Sequence, residues 1–523
     1  MKLNLLLLLF CGILLFPAKS FSQRVISIDA SSNGEKFDHF WSECVGAGRA
    51  NEGLRASWLD QMKKVQENCG FKYCRFHGLF HRDMFVVMEE HGKIVYNWQY
   101  IDDLFDHMLD LKVRPFVELS FFPDAFASDS SKSIMWWKAK TTPGKNFLSN
   151  WYSLVKAFTQ HCVDRYGLDE VSKWYFEVWN EPNIAFWDAS MEQYFELYKK
   201  SALAVKSVNK ILKVGGPATS RFVQDKKYRE KVKKDGKKYS VNANWHGIWI
   251  QDFLEYCAKE KLPVDFLSTH PYPRTNRYVN STKDDMVWVN DVLKKSDYPN
   301  AEIHLTEWST SPSSRDKTHD FLTPAAYIVK ANLDCIGLAN SLSYWTFTDI
   351  FEEKGGASTI FHGGFGMINF QGIVKPSYHA YRMLNQLGDE KLYKDDYLFV
   401  SRNSGNGKIS AIAYNYPKEY EDAVPSGNDE RENGTSKQLN FSLKNLNPGT
   451  QFKMETLDKD HGNIYDYWKT MGSPSAPTRE QVKIMKKYAE TLDTQLITVG
   501  NDGILKIKKE LTPWSVVLIK QMN

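Results

Sequence analysis

The sequence predicts an α/β fold, in which a (β/α)8 barrel of the TIM type is followed by a C-terminal β-sandwich. Short apolar runs alternate with amphipathic helical segments from about residue 37 to residue 390, and this alternation is typical of a parallel sheet. Eight such runs can be counted, and eight parallel strands with helical connections close most naturally into a barrel. After residue 390 the helical periodicity gives way to short alternating strands, which indicates a sandwich.

The eight apolar runs are the predicted barrel strands. They are Phe40–Val45, Tyr73–Phe76, Arg114–Leu119, Lys173–Trp179, Leu212–Gly215, Phe266–Thr269, Ile303–Thr306 and Ser343–Phe347. The segments with helical apolar spacing between them include Leu54–Cys69, Leu148–Tyr166, Met191–Val208 and Ala325–Leu338. The active site of such a barrel lies where strands end and loops begin, so the last residues of each strand are the candidates for chemistry.

Residues 391–523 are predicted to form the sandwich as an accessory domain. Its expected strands are Leu398–Ser401, Ile409–Tyr414, Leu439–Leu443, Phe452–Leu457, Ile504–Ile507 and Ser515–Ile519, and Arg479–Glu490 has helical spacing. An early strand, Val25–Asp29 within residues 23–36, precedes the barrel and is expected to join this sandwich. The segments Lys226–Lys238 and Pro417–Thr435 are expected to be exposed insertions.

The first 22 residues have the three regions of a secretory signal. Lys2 is followed by an apolar run from Leu5 to Phe16 and then by a short polar stretch that ends near Ser22. The apolar run is shorter than the roughly 20 residues of a membrane-spanning helix, so no span is expected once the signal is removed. The sequence therefore predicts an exported protein, either periplasmic or secreted.

Composition and cysteine spacing exclude several classes of function. The chain has 67 basic and 63 acidic residues, a balance too even to suggest nucleic acid as a partner. Six cysteines follow the signal, at positions 44, 69, 74, 162, 257 and 335, without the spacing of a metal site, and they are expected to be buried thiols. The runs 46–48 and 363–366 are rich in glycine but lack the spacing of a phosphate loop, so they are expected to be turns. His77 and His81 have no third ligand nearby, and we expect neither a metal nor a cofactor.

The strongest local signal is the run Glu177-Val178-Trp179-Asn180-Glu181-Pro182-Asn183, which ends the fourth predicted strand. Cleavage of a glycosidic bond needs a carboxyl group that protonates the leaving oxygen, and Glu181 is placed to do this. Asn180 is placed to hydrogen-bond the sugar 2-hydroxyl as charge develops.

A second carboxylate, Glu307, ends the seventh predicted strand in the run Ile303-His304-Leu305-Thr306-Glu307-Trp308. It lies 126 residues after Glu181, but strands four and seven of a closed barrel face each other across its mouth. In a retaining enzyme the two carboxyls stand about 5–5.5 Å apart, and the second attacks the anomeric carbon. Each glutamate alone is equally consistent with a structural salt bridge.

The ordered set of motifs resembles glycoside hydrolase family 39, which includes β-xylosidases and α-L-iduronidases. The residues that carry the resemblance are Phe40-Trp41, Cys44 to Ala50, Arg75-Phe76-His77-Gly78, Trp179 to Asn183, Gly215-Gly216-Pro217, His270-Pro271-Tyr272-Pro273, Thr306-Glu307-Trp308 and Phe351-Glu352-Glu353. The resemblance covers nearly all of the chain after the signal. It implies a glycoside hydrolase that needs no cofactor.

The resemblance also implies roles for individual residues. Glu181 would be the acid/base and Glu307 the nucleophile, while Asn180, His77, His270 and Tyr272 would line the sugar subsite. Glu352 or Glu353 would accept hydrogen bonds from the sugar hydroxyls. The aromatic residues Trp308 and Trp345 are candidates for a stacking wall, although tryptophans at a barrel mouth often only pack.

These observations favour an exo-acting, retaining β-glycosidase on plant polysaccharide fragments, with terminal β-linked xylose as the expected substrate. Three alternatives stay open. The enzyme could resemble α-L-iduronidases, for which Arg49, Arg75 and Arg274 are the available cations around a substrate carboxylate. It could instead be an arabinosidase, a β-glucosidase or a β-galactosidase, or it could be a glycan-binding protein without turnover.

Overall fold

The computed structural model describes residues 26–220, 249–273, 278–427 and 433–522. The predicted signal and the predicted insertion Lys226–Lys238 lie outside the described residues. Two short strands, β1 (Ile26–Asp29) and β2 (Glu35–Lys36), come first in this part of the chain.

Eight parallel strands then close into a barrel, which confirms the predicted fold class. They are β3 (Cys44–Arg49), β4 (Tyr73–His77), β7 (Arg114–Leu119), β10 (Tyr175–Val178), β11 (Lys213–Ser220), β12 (Phe266–His270), β13 (Glu302–Trp308) and β14 (Ser341–Tyr344). Two antiparallel hairpins leave the barrel, one of β5 (Val87–Glu90) with β6 (Lys93–Tyr96) and one of β8 (Ser133–Ile134) with β9 (Ala139–Lys140).

Helices connect the barrel strands and cover the outside of the sheet. They are α1 (Ala56–Cys69), α2 (Gln99–Asp110), α3 (Phe147–Tyr166), α4 (Leu168–Val171), α5 (Met191–Val208), α6 (Ile250–Lys259), α7 (Ser281–Lys294), α8 (Thr323–Asp334) and α9 (Pro376–Leu384). Helix α5 has the bounds that its sequence predicts. A capping box fixes its first residue: the Ser190 side chain accepts a hydrogen bond from the Gln193 backbone N–H, and the Gln193 side chain accepts one from the Ser190 backbone N–H.

The first barrel strand begins later than the sequence predicts. Residues Phe40–Ser42 form one turn of 3-10 helix, and the strand runs from Cys44 to Arg49. Gly46 and Gly48 therefore lie in a strand and not in the expected turn. A Cβ atom at Gly46 would stand 2.2 Å from the ring of Trp345, so glycine is needed here for the close approach of that ring.

The C-terminal region is a sandwich of two sheets. Its strands are β15 (Glu390–Lys394), β16 (Leu398–Arg402), β17 (Ile409–Tyr414), β18 (Lys437–Lys444), β19 (Gln451–Leu457), β20 (Asp493–Thr498), β21 (Leu505–Leu511) and β22 (Val516–Gln521), and its helices are α10 (Ile464–Thr470) and α11 (Arg479–Glu490). One sheet has the order β1-β18-β21, and the other has the order β2-β15-β16-β17-β22-β19-β20. Strand β1 runs parallel to β18, with Ile26 opposite Phe441.

The central strands β16, β17 and β22 of the seven-stranded sheet are buried on both faces. Val400 of β16 belongs to the core between the two sheets, whereas its neighbour Phe399 belongs to the core of the barrel. On the barrel side, helix α8 packs against β17 and β22. The alternation of side chains along each strand thus divides the sheet between two cores, and the sandwich is built onto the barrel.

The predicted insertion Pro417–Thr435 is not a freely exposed loop over its first part. Val424 is buried, and the Gly427 N–H donates to Asp316 Oδ1 at 2.8 Å. Residues 428–432 lie outside the described residues.

All six cysteines of the described residues are buried and carry free thiols, as their spacing predicts. No helix in the described ranges is long and apolar enough to cross a membrane.

Candidate active site

Polar side chains from five barrel strands or their loops meet at the carboxyl ends of the strands. They come from β4 (Arg75, His77), β7 (Glu118), β10 and its loop (Glu177, Asn180, Glu181), β12 and its loop (His270, Tyr272) and β13 (Thr306, Glu307). This is the end of a (β/α)8 barrel at which active sites form.

Glu307 is held through both oxygens of its carboxylate. Arg75 Nη1 donates to Oε1 at 2.8 Å, and the hydroxyl of Tyr272 donates to Oε2 at 3.0 Å. His77 Nε2 lies 3.5 Å from Oε1. The pairing of β13 with β14 is irregular between Leu305 and Trp308, so the strict alternation of side chains is interrupted where Glu307 turns toward the barrel mouth. These donors fix the orientation of the carboxylate.

Arg75 is fully buried and is the fixed cation of the site. Besides Glu307 it contacts Glu118 at 2.7 Å, Glu177 at 2.5 Å and the amide oxygen of Asn180 at 2.9 Å. Burial lowers the pKa of the Arg75 guanidinium, but the surrounding carboxylates outweigh this effect and raise it above its usual value. Because Arg75 occupies the oxygen of Asn180, the amide NH2 of that residue is left to donate to a ligand.

Glu181 lies at the end of β10 in an unusual backbone conformation. Its φ is +45°, and that of Trp179 is +72°, in the left-handed region that residues with a side chain rarely adopt. The Trp179 ring is buried, and its Nε1 donates to the carbonyl of Phe186, which fixes this turn. The turn directs the Glu181 carboxyl into the mouth, where one of its oxygens approaches a Glu307 oxygen to within 4.8 Å.

His270 lies between the two glutamates. Its Nδ1 is 3.0 Å from Glu181 Oε1 and 3.6 Å from Glu307 Oε2, and its Nε2 is 3.0 Å from Thr306 Oγ1. Thr306 Oγ1 in turn donates to Glu177 Oε1 at 2.7 Å. Burial lowers the pKa of His270 to about 4, although Glu307 acts in the opposite direction.

His77 is the second histidine of the site and is bonded to a different carboxylate. Its Nδ1 lies 2.7 Å from Glu118 Oε2. Burial opposes protonation of His77, but Glu118 and Glu307 outweigh it and raise the pKa of the ring. Burial likewise raises the pKa of Glu118, while Arg75 and His77 lower it further than burial raises it.

Trp345, which follows β14, forms the floor of the site. Its ring centroid is 4.8 Å from that of His77, and the guanidinium of Arg75 lies 5.8 Å from it. It packs in a small buried cluster with Tyr272, Phe351 and Phe365.

Two residues that the sequence suggested for the site have other roles. Trp308 is fully buried, stacks on Tyr327 of α8 at 5.6 Å and does not face the mouth, so the expected stacking wall cannot include it. Glu352 uses its two oxygens for Arg49 at 2.7 Å and Arg55 at 2.6 Å, so it is an ion-pair partner and not a free acceptor.

Glu353, the neighbour of Glu352, is the acid that lies near the other site residues. Burial raises its pKa, Glu181 raises it further, and His77 and Lys354 act in the opposite direction. The backbone carbonyl of Glu353 accepts a hydrogen bond from the backbone N–H of Trp136 at 2.7 Å. The Trp136 side chain belongs to the β8–β9 hairpin and is 60% exposed, so it presents an aromatic surface beside the site.

Glu181, His270 and Glu307 also lie close enough together to offer ligands to a metal ion. The fixed cation of Arg75 beside Glu307 disfavours a second cation there.

Comparison with known proteins agrees with this geometry. Residues 24–505 match the family described as Glycosyl hydrolases family 39. The chain belongs to glycosyl hydrolase family 39. It is 35% identical over 515 residues to the β-xylosidase of Geobacillus stearothermophilus. The alignment covers 94% of this chain and 95% of the relative.

Solved structures of family 39 members resemble the chain over nearly its whole length. The family 39 enzyme of Xanthomonas axonopodis pv. citri has a TM-score of 0.84 at 28% identity and covers 97% of this chain and 99% of its own. A monomeric β-xylosidase of Caulobacter crescentus CB15 has a TM-score of 0.82 at 31% identity, with 95% of this chain and 99% of its own covered. The protein is therefore a glycoside hydrolase, as the motifs predicted.

Sequence reasoning missed several residues of the site. Glu118, Glu177 and Thr306 were not assigned roles, and Arg75 was considered only as a cation for an acidic substrate. A signal was present in the sequence, since Arg75, Glu118 and Glu177 each stand between two apolar residues of a strand. A charge in such a position is buried and therefore needs a partner.

Proposed function

We propose that this family 39 enzyme is an exo-acting, retaining β-xylosidase that releases terminal β-linked xylose from plant polysaccharide fragments. The observation that carries the mechanism is the approach of the Glu181 and Glu307 oxygens to within 4.8 Å. Retaining glycosidases hold their carboxyls about 5–5.5 Å apart, whereas inverting enzymes leave about 6.5–9.5 Å for a water molecule.

In the first step Glu307 attacks the anomeric carbon while Glu181 gives its proton to the glycosidic oxygen. The bond from the anomeric carbon to the leaving oxygen breaks, a glycosyl ester to Glu307 forms, and the aglycone leaves as an alcohol. In the second step the Glu181 carboxylate takes a proton from water, whose oxygen attacks the anomeric carbon and releases Glu307. Two inversions give net retention.

The contacts of Glu307 support the role of nucleophile. Arg75 and Tyr272 hold one carboxylate oxygen each, so the group is fixed in direction before substrate arrives. The amide NH2 of Asn180 would donate to the sugar 2-hydroxyl, a contact that strengthens in the transition state. His77 and Glu353 would bind other hydroxyls, and Trp345 would lie under the ring.

Xylose is favoured over a uronic acid by the arginines of the site. A uronide needs a cation that is free to bind its carboxylate. Arg49 is already paired with Asp83 and Glu352, and Arg75 with three glutamates. Arg274 lies outside the described residues. The β-xylosidase relatives, which align over nearly the whole chain, point to the same substrate.

A panel of nitrophenyl glycosides tests the proposal, with the β-xyloside, β-glucoside, β-galactoside, α-L-arabinoside and a uronide compared side by side. We expect rapid hydrolysis of the β-xyloside, and NMR should show xylose released first as the β anomer. Inversion would contradict Glu307 as the nucleophile, and activity on the uronide alone would favour an iduronidase. Glycan binding without turnover of any substrate would indicate a binding protein.

Two variants separate the roles of the glutamates. Glu307→Gln should abolish hydrolysis because the glycosyl ester cannot form. Glu181→Ala should slow the release of poor leaving groups by about 100- to 10,000-fold, since it removes general acid catalysis. Azide should rescue Glu181→Ala and give a β-xylosyl azide, because azide needs no general base. Loss of rescue would contradict the acid/base assignment.

We also propose that the enzyme is exported, since residues 1–22 have the pattern of a secretory signal. N-terminal sequencing of protein from the native host should give a mature chain that begins near Gln23. Recovery of the intact N-terminus from the cytoplasm would contradict export.

A further inference from the structure

We propose that Thr306 and Glu177 fix the tautomer of His270 and that this tautomer holds a proton on Glu181 in the resting enzyme. Thr306 thereby acts as a positioning residue for the acid/base. This inference rests on the proposed function of Glu181 and explains how one residue is kept ready as an acid.

The two hydrogen bonds of the Thr306 hydroxyl allow one consistent assignment of donors and acceptors. Thr306 has a single hydroxyl proton, and it points to Glu177 Oε1 at 2.7 Å. The Thr306 oxygen can then only accept from His270 Nε2, which is 3.0 Å away. His270 Nε2 therefore carries the ring proton.

This tautomer leaves an unprotonated nitrogen facing Glu181. His270 Nδ1 presents its lone pair to Glu181 Oε1 at 3.0 Å. A lone pair and a carboxylate oxygen at this distance repel each other unless a proton lies between them. The contact is therefore a hydrogen bond that a protonated Glu181 donates to His270.

If these hydrogen bonds ran in the opposite direction, the buried carboxylate of Glu177 would lose the hydroxyl donor of Thr306. In that arrangement Thr306 would donate to His270 Nε2, and His270 Nδ1–H would donate to an ionised Glu181. Glu177 Oε1 would lose the Thr306 hydroxyl, although Glu177 is completely buried and only its other oxygen is paired with Arg75. An unsatisfied oxygen on a buried carboxylate is the more costly state.

A doubly protonated His270 is the remaining possibility, and the surroundings of the ring disfavour it. Glu181 and Glu307 face Nδ1, while Arg75, Glu177 and Glu118 from β4, β10 and β7 lie behind them. The ring is fully buried, and burial lowers its pKa to about 4 despite the nearby carboxylates. The contacts therefore favour the neutral ring with Nε2–H, whose Nδ1 lone pair accepts the proton of Glu181.

The same contact serves both steps of the proposed reaction. In the first step Glu181 is protonated and donates to the leaving oxygen. Once the proton has left, the Glu181 carboxylate faces the lone pair of His270, which makes it a stronger base toward water. His270 thus raises proton affinity at Glu181 without exchanging a proton itself.

Histidine NMR tests the tautomer without any substrate. Protein with 15N-labelled histidine should show, near pH 7, a His270 ring with a protonated Nε2 and an unprotonated Nδ1; a His270→Gln sample assigns the signals. Thr306→Val, which keeps the shape but removes the hydroxyl, should shift the ring toward the Nδ1–H form. Thr306→Ser should retain the wild-type pattern.

Kinetics on two leaving groups test the consequence for Glu181. With Thr306→Val, the alkaline limb of kcat/KM for xylobiose should move down by about one pH unit, since Nδ1–H now stabilises the Glu181 carboxylate. At a pH above this limb the rate falls about tenfold. A dinitrophenyl xyloside needs no acid, so its kcat/KM should stay within about twofold, and Thr306→Ser should resemble wild type with both substrates.

A protonated Nδ1 in wild-type His270 would overturn the inference, as would an unchanged alkaline limb in Thr306→Val. An equal loss on both substrates would show that Thr306 is only structural. If the wild-type enzyme hydrolysed no xyloside, the proposed substrate would fail, but the NMR pattern would still report on the tautomer.

Discussion

Three charged side chains, each flanked by apolar residues of a barrel strand, set the electrostatics of the site. Arg75, Glu118 and Glu177 are all buried, and the guanidinium connects the two carboxylates to Glu307. Burial of charge is tolerated only with such complete pairing. Arg75 thereby links the buried acids of the barrel directly to the proposed nucleophile.

Tyr272 is expected to stabilise the ionised nucleophile through its hydroxyl. A hydrogen bond to a charged group contributes about 1.5–3 kcal/mol, so Tyr272→Phe should lower kcat for the β-xyloside about 10- to 100-fold. Tyr73→Phe is the matched control, because that hydroxyl donates to the Lys173 carbonyl at the opposite end of the barrel. Equal effects of the two variants would contradict a specific role for Tyr272.

The adjacent acids Glu352 and Glu353 are expected to have different roles, Glu353 in substrate binding and Glu352 in stability. Glu353→Gln should lower kcat/KM about 10- to 100-fold by weakening a charged hydrogen bond to the sugar, with little change in stability. Glu352→Gln should instead lower the free energy of unfolding by about 1 kcal/mol, since Arg55 loses its carboxylate partner while Arg49 retains Asp83. Urea unfolding and steady-state kinetics on both variants would detect a reversal of these roles.

At the scale of elements, the sequence predicts which strand ends carry the chemistry but not which way each side chain points. Glu181 and Glu307 were found because they follow periodic apolar runs. The periodicity could not separate Trp308, which packs under α8, from Trp345, which forms the floor, because a local irregularity in β13 sets the orientation there. The ion pairs of Glu352 come from residues about 300 positions away and leave no local pattern.

The β8–β9 hairpin brings an aromatic residue to the rim of the site. The ring of Trp137 packs against His81 and Arg49 and anchors the hairpin. A second contact is the hydrogen bond that the Asp188 backbone N–H donates to the Thr141 carbonyl. Trp136 is thereby held with its ring exposed beside Gly355. The sequence offered no signal for this position, since the hairpin strands are only two residues long.

We expect Trp136 to contact the second sugar of the substrate. Covering about 40 Å² of apolar ring contributes roughly 1 kcal/mol, so Trp136→Ala should lower kcat/KM for xylobiose about fivefold. Methyl β-xyloside, whose aglycone is too small to reach the ring, should be unaffected, and Trp136→Tyr should retain most of the activity. An equal loss on both substrates would place Trp136 outside the aglycone subsite.

At the scale of the whole molecule, the barrel and the sandwich share a buried contact that involves a titratable group. His379 of α9 is almost completely buried, and its Nε2–H donates to the Ala489 carbonyl of α11 at 2.7 Å. Burial lowers the pKa of this histidine to about 3. The folded protein therefore holds His379 neutral over a pH range in which the unfolded chain binds a proton.

This difference predicts a loss of stability in acid. The contribution of His379 is complete above about pH 6.5, the usual histidine pKa, and declines as the pH falls toward 3. Near pH 5 the loss amounts to about 2 kcal/mol. His379→Gln keeps an N–H donor but cannot titrate, so its free energy of unfolding should fall less than that of the wild type between pH 7 and 5. Parallel curves for the wild type and His379→Gln would contradict the assignment.

The pairing of β1 with β18 has a consequence for synthesis of the chain. Some 415 residues separate Ile26 from its partner Phe441. At about 5–20 residues per second, β1 leaves the ribosome roughly 20–80 s before its partner strand exists. All eight barrel strands are translated during this interval, so the barrel can close while the earliest segment still has an open edge. Strand β1 is thus made before the barrel strands but finds its place after them, and a nascent chain that stalls before β18 carries a barrel whose sandwich face is bare.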